Sequence, residues 1–225
     1  MVEKDAVRRS YDELAETYAA YRSENGVGMD VLAEFLDSLA ELESERDSYS
    51  ILDAGCGQGT PILRRLSEDA TAVGIDFSSE QLRLATENAP DAALLQSDMT
   101  ELPFEDDSFD AVVAYWSLIH VPIDDHQAVI DEFARVLRPG GRVLVCEGTN
   151  EWVGDNPDWL DSGVEMQWEI AGADETREQL ETAGFEITDS WGVPETLEED
   201  EDESSEAESE DDHPWTLFAG ELSRK

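Results

Sequence analysis

Lysine is nearly absent from this chain. Lys4 and Lys225 are the only two, and with the arginines they make 14 bases against 56 acids, a formal net charge of −42. Proteins that hold nucleic acid neutralise successive phosphates with clustered Lys and Arg, and that term supplies most of their non-specific affinity. Here the basic pairs Arg64–Arg65 and Arg135–Arg138 stand isolated among acids. No nucleic-acid partner is expected.

Cysteine is scarce too. Cys56 and Cys146 lie far apart and in no metal or redox spacing, so no metal site and a reduced cytoplasmic setting are expected. No apolar run approaches the ~18 residues that span a bilayer. The segment Met1–Arg22 is charged and lacks the apolar block of a signal peptide. The acids are spread along the whole chain rather than gathered in one patch. Self-repulsion of that size is screened only at high ionic strength, where the Debye length falls to ~3 Å at 1 M. A salt-rich cytoplasm, as in halophilic archaea, accounts for such a spread better than a basic partner, which would call for a localised surface.

What remains is ordinary globular material, with 40% hydrophobic residues. A chain of 225 residues forms one domain able to bury ~70% of its unfolded surface. Its organising stretch is Ser50–Pro61. Ile51 and Leu52 close a short buried strand, and glycines follow at positions 55, 57 and 59 before an apolar, helix-compatible run from Pro61 to Leu66. Thr60 is expected to cap that helix and Pro61 to open it. A strand, a glycine turn and a helix start bring a ligand against bare backbone N–H groups. A dinucleotide fingerprint, G-x-G-x-x-G, needs glycine at position 60, where the chain has Thr60.

Around this turn the chain alternates strand and helix. Strands are expected at Ala70–Ile75, Ala92–Gln96, Phe109–Tyr115, Arg142–Glu147, Phe185–Trp191 and Trp215–Leu222. Helices are expected at Ser79–Asn88, Asp125–Leu137 and Asp174–Ala183. Two further helices precede the first strand, over 1–22 and 27–42. They form an N-terminal helical cap (1–48) that lies over the mouth of a site, or else Tyr11 and Tyr18 simply pack on the core. The pattern predicts an α/β, Rossmann-like open sheet of seven mostly parallel strands, covered on both faces, with the last strand antiparallel. Residues 195–212 are almost all Glu, Asp and Ser and are expected to form an acidic mobile loop.

In such a sheet, ligands bind beyond the carboxyl ends of the strands. Those ends carry Asp53 before the glycine turn, then Asp76–Phe77, Asp98–Met99 and Trp116–His120. An acid after the second strand can accept hydrogen bonds from both ribose hydroxyls. An acid with an apolar neighbour after the third suits an adenine ring.

The D-x-G-x-G-x-G run of Asp53–Gly59 resembles the first motif of class I S-adenosylmethionine-dependent methyltransferases. Asp98–Phe104 with Ser108–Asp110 resembles their D-x-x-x-L-P-F…S-F-D segment, and Leu137–Gly141 their L-R-P-G-G turn. Tyr11-Asp12-x-x-Ala15-x-x-Tyr18-x-x-x-Arg22 is similar to the N-terminal helix of the small-molecule, quinone-type branch (methyltransferase type 11-like). The matches run in collinear order from Tyr11 to Glu147.

The resemblance implies an enzyme that converts S-adenosylmethionine to S-adenosylhomocysteine. Gly55, Cys56 and Gly57 would line the methionine part, with Asp53 near its ammonium. Asp76 would hold the ribose, Phe77 would flank the adenine, and Asp98 and Met99 would meet it. Tyr18 and Arg22 would close over the carboxylate, and Trp116 would face the sulfonium. The (D/N)-P-P-Y run of amide- and base-amine methyltransferases is absent after the fourth strand, which points to a small organic or lipid-like acceptor. His120 is a candidate general base, or else a structural histidine. The Trp-rich segment 152–170 shapes an acceptor pocket or packs at the surface. A donor-binding protein without turnover would share every cofactor motif, and a dinucleotide oxidoreductase is disfavoured by Thr60. Oligomeric state is not encoded in any of these features.

Overall fold

The computed structural model describes residues 2–22, 28–39, 48–194 and 213–223. The acidic segment 195–212 lies outside the described residues. Seven strands form one sheet: β1 (Ser50–Ala54), β2 (Thr71–Asp76), β3 (Ala93–Gln96), β4 (Phe109–Ala114), β5 (Leu137–Gly148), β8 (Phe185–Val193) and β9 (Trp215–Leu222). Their order is β3-β2-β1-β4-β5-β9-β8. Only β9 runs against its neighbours, β5 and β8, as the sequence pattern predicts. Two strands lie outside this sheet. β6 (Trp152–Asn156) and β7 (Met166–Ile170) form an antiparallel hairpin from the segment in which no period is visible.

Alternation along the central strands sorts side chains onto two faces. Ala111, Val113, Leu144 and Cys146 join one core with Leu32 and Phe35 of α2 (Met29–Leu39) and Leu63 and Leu66 of α3 (Ile62–Asp69). Val112, Ala114, Val143 and Val145 join the other. That second core includes Val129, Ile130 and Phe133 of α5 (Ile123–Val136) and Leu180 of α6 (Ala173–Thr182). A third cluster packs Val7, Tyr11 and Leu14 of α1 (Lys4–Tyr21) on Trp159 and Met166. The two N-terminal helices therefore separate. α1 lies over the strand ends, whereas α2 buries Val31, Leu32, Phe35 and Leu39 in the first core.

Two local expectations are corrected. Thr60 does not cap α3: its hydroxyl donates to Gln58 Oε1 at 2.9 Å, and Pro61 occupies the cap position with no side-chain bond. The L-R-P-G-G turn does not precede β5 but forms a bulge inside it. Pairing jumps from Phe109↔Leu137 to Ala111↔Arg142, and Gly140 takes φ 81° within the excess.

Candidate active site

The order of the sheet reverses between β1 and β4, where parallel α/β sheets open a crevice. The glycine turn after β1 is pinned there by β2. Ile75 O accepts from Gly55 N and Cys56 N at 2.9 and 2.8 Å. Asp76 accepts from Gly57 N at 2.9 Å on one carboxylate oxygen and from Ser78 N at 2.8 Å on the other. Each oxygen keeps a second lone pair for a ligand. The glycines serve different ends. A Cβ on Gly55 (φ +83°) would meet Ser117 Cβ at 2.3 Å, and one on Gly59 (φ +91°) would meet Ala85 Cα at 3.1 Å. A Cβ on Gly57 (φ +52°) would meet only Gln81 Oε1, at 3.7 Å, so this backbone faces open space.

That space is a cleft. Every residue expected to bind the cofactor lies in its wall: Tyr18, Arg22, Asp53, Gly55, Cys56, Gly57, Asp76, Phe77, Asp98, Met99 and Trp116. His120 lines it as well. Asp53 is 1% exposed and its Oδ2 has no hydrogen-bond partner. Burial, helped by the neighbouring Asp76, pushes its carboxyl up to about 8, against the pull of Arg22. Burial raises Asp76 to about 6, opposed by the Ser78 and Gly57 N–H groups. Two buried acids with unspent acceptor capacity suit a cationic ligand.

The rim of the cleft differs from the sequence reading. Asp98 Oδ2 is bound by Lys4 Nζ at 2.7 Å, and its Oδ1 accepts from Thr100 N and Oγ1. Burial acts to raise this carboxyl, yet Lys4 and Thr100 together hold it below its usual value. α1 also reaches α4 (Ser79–Asn88), where Asp12 Oδ1 accepts from Ser78 Oγ at 2.7 Å and Glu80 N at 3.2 Å. Lys4 and Gln81 are cleft residues that the sequence reading missed. Gln81 is 1% exposed and neither atom of its amide has a partner. Its one sequence signal is its place in the first turn after the Ser78 cap.

Tyr11 and His120 form a pair that sequence alone does not reveal. His120 Nδ1 lies 3.1 Å from Gln167 O, which only accepts, so Nδ1 carries the proton. Nε2 then receives the hydrogen bond from Tyr11 Oη at 2.8 Å. Burial lowers His120 to about 4 and raises Tyr11 well above the ordinary phenol value, so both stay neutral.

Behind this pair lies a second cavity. Tyr11, Tyr18, Arg22, Trp116 and His120 form the wall shared with the cleft. The rest is largely Trp152, Trp159, Trp168 and Trp215, so the hairpin segment does line a pocket. Arg22 lies over the rings of Tyr18 and Trp116, 5.5 and 5.2 Å from their centroids. Trp116 itself sits at φ +48°, a costly conformation for a large side chain, where it closes the end of β4.

Residues 52–145 match the family model described as Methyltransferase domain. Over 141 residues the chain is 35% identical to the demethylmenaquinone methyltransferase of Streptomyces avermitilis, across 63% of this chain and 59% of that protein. The chain thus spans less than two thirds of that relative's length. Solved structures of the same fold include the [4+2]-cyclase SpnF, with TM-score 0.67 and 22% identity, covering 97% of this chain and 96% of that one. Another is magnesium protoporphyrin IX methyltransferase from Synechocystis PCC 6803 with bound SAH, with TM-score 0.61 and 15% identity, covering 97% of this chain and 86% of that one.

These comparisons support S-adenosylmethionine as the cofactor of the segment that matches the methyltransferase model, and the cleft fits it. The unpartnered Asp53 oxygen, the open backbone at Gly57 and the spare lone pairs of Asp76 offer acceptors and space to a ligand with cationic and hydroxyl groups. Among the described residues no cluster of His, Cys, Asp or Glu is arranged to hold a metal, and no helix is long and apolar enough to cross a membrane.

Proposed function

We propose that this protein is an S-adenosylmethionine-dependent methyltransferase acting on a small organic or lipid-like acceptor. The observation that carries the reading is the pairing of two cavities through one wall. A cleft lined by buried acids stands on one side and a tryptophan cavity on the other, with Tyr11, Arg22, Trp116 and His120 between. Bound in the cleft, S-adenosylmethionine supplies an electrophilic methyl group on a cationic sulfur.

The chain's own groups orient and exclude water. Asp76 holds the ribose, and the cationic donor draws the buried carboxyls of Asp53 and Asp76 toward ionisation, a field that favours the charged donor over its neutral-sulfur product. Phe77 and Met99 flank the adenine, and Arg22 takes the donor's carboxylate. Methyl transfer is an in-line displacement, so its rate rests on alignment across the shared wall. S-adenosylmethionine would supply the methyl carbon and the acceptor the electron pair of the new bond, the C–S pair remaining with the departing sulfur. A proton lost by a hydroxyl acceptor would pass to Tyr11 Oη as Tyr11 gives its own to His120 Nε2. Burial disfavours the imidazolium taken alone, so this transfer would depend on the donor losing its positive charge at the same time.

The test is label transfer from methyl-labelled S-adenosylmethionine into a metabolite extract at molar KCl, the medium we infer from the acidic composition. Label should enter small molecules and not tRNA, rRNA or DNA, and Asp76→Ala should abolish it. Labelled RNA would overturn the acceptor class. A second reading, donor binding without methyl transfer, draws support from the cyclase of the same fold, and tight donor binding with no labelled product would favour it.

A further inference from the structure

Charge is distributed unequally between the two cavities. The cleft wall carries Asp53, Asp76 and Asp98. Among the described residues, the wall of the tryptophan cavity carries no carboxylate, in a chain where 56 acids face 14 bases. Five of the six tryptophans line it, and Arg22 is its one cationic side chain among the described residues. Arg8, Arg65, Arg83, Arg135, Arg138 and Arg142 each sit within 4.0 Å of a carboxylate. Arg22 has no ion pair among the described residues and is held by two aromatic faces instead.

An aromatic box without a cation would attract an ammonium through the ring quadrupoles. Arg22 already occupies that role and repels a second positive charge. A guanidinium presents five N–H donors in its own plane, enough to serve a donor carboxylate along one edge and an acceptor anion along another while its faces lie on the rings. The rings of Trp152, Trp159 and Trp168, with centroids 5.7 and 6.1 Å apart, offer flat surfaces for stacking.

We propose that the tryptophan cavity takes a planar aromatic anion as methyl acceptor, a ring bearing a carboxylate or an ionised hydroxyl, with Arg22 as its counter-ion. This rests on the methyltransferase reading and narrows its acceptor. A ring anion is also drawn toward the positive sulfur across the shared wall. Cationic amines are excluded.

The test is calorimetric titration of the full chain at molar KCl, free and saturated with S-adenosylhomocysteine. The probes are 2-naphthoate, 2-naphthamide and 2-naphthylmethylammonium, which share a ring system and differ in charge. Naphthoate should bind at least ~tenfold more tightly than the amide, equivalent to about 1.4 kcal/mol, and the ammonium most weakly. Arg22→Gln should bring naphthoate down to the amide's affinity without changing the amide's own, which also shows the cavity intact. Arg22→Lys should keep part of the preference. Amide or ammonium binding as tightly as naphthoate, no binding of any probe, or an order that survives Arg22→Gln would each overturn the proposal. Failure of S-adenosylhomocysteine to bind, with the probe order intact in the free chain, would instead overturn the methyltransferase reading.

Discussion

The cleft and the tryptophan cavity share a wall but are built on opposite principles. The cleft is made of backbone and strand ends: a glycine turn, two N–H groups on Asp76 and acids placed where parallel strands stop. The cavity is made of side chains from α1, the end of β4 and a hairpin outside the main sheet. A site made by backbone geometry tolerates little substitution and has a fixed ligand. A site made by side chains on an appended hairpin is free to change its ligand without disturbing the other. On the methyltransferase reading proposed above, donor chemistry and acceptor choice would be separated within one fold.

The sharpest way to break this comparison is Gly55→Ala. Its methyl group would lie against Ser117 in a left-handed conformation, so the cleft should lose stability by about 2–3 kcal/mol and bind no donor, by denaturation and calorimetry. A variant that is stable and binds normally would show that the turn is not backbone-limited. Asp76→Ala comes next. It removes the acceptor of Gly57 N and Ser78 N as well as the ribose, and donor affinity should fall on the order of a hundredfold, with hydrogen bonds to a charged group worth ~1.5–3 kcal/mol each. Unchanged affinity would remove Asp76 from the site.

The buried acids give a smaller, pH-dependent effect. Burial raises Asp53 and Glu147 each to about 8 in the fold, from 3.8 and 4.5. Between those limits the native chain binds more protons than the unfolded one, so stability falls as pH rises from about 4 to 8. The slope should approach ~1 kcal/mol per pH unit for each group near neutrality. Asp53→Asn should flatten it and stabilise the free chain at pH 8, and a slope unchanged by that substitution would place the acid in water. The smallest effect is the most diagnostic of separation. Trp168→Leu should reshape the acceptor cavity while shifting donor affinity by less than ~twofold, because Trp168 does not line the cleft. A larger loss in donor titration would mean the two sites are one.

The same division explains what sequence made legible. The strand–helix alternation, the antiparallel β9 and the cleft acids follow from periodicity and from motifs tied to strand ends, which depend on residues near one another in the chain. The hairpin did not, because β6 is exposed along most of its length and its register with β7 depends on Trp packing rather than alternation. Thr60 was misread because Gln58 competes for its hydroxyl, a contact that helix-start rules ignore. Lys4 and the Tyr11–His120 bond were invisible for a different reason. They join residues 94 and 109 positions apart, brought together only when α1 folds back over the strand ends.

That folding back couples the two chambers. α1 contributes Lys4, Tyr11 and Tyr18 to the wall of one chamber and Tyr11 and Tyr18 to the other. It is fastened by Lys4 to Asp98, Asp12 to the start of α4, Glu16 to Arg83 and Ser10 to Glu165 O. One helix thus walls two chambers, and packing holds it as well as these ties: Val7, Tyr11 and Leu14 lie on Trp159 and Met166, and Tyr11 Oη is bonded to His120. A substitution on the inner face of α1 therefore reaches both chambers at once, whereas one in the hairpin reaches a single chamber.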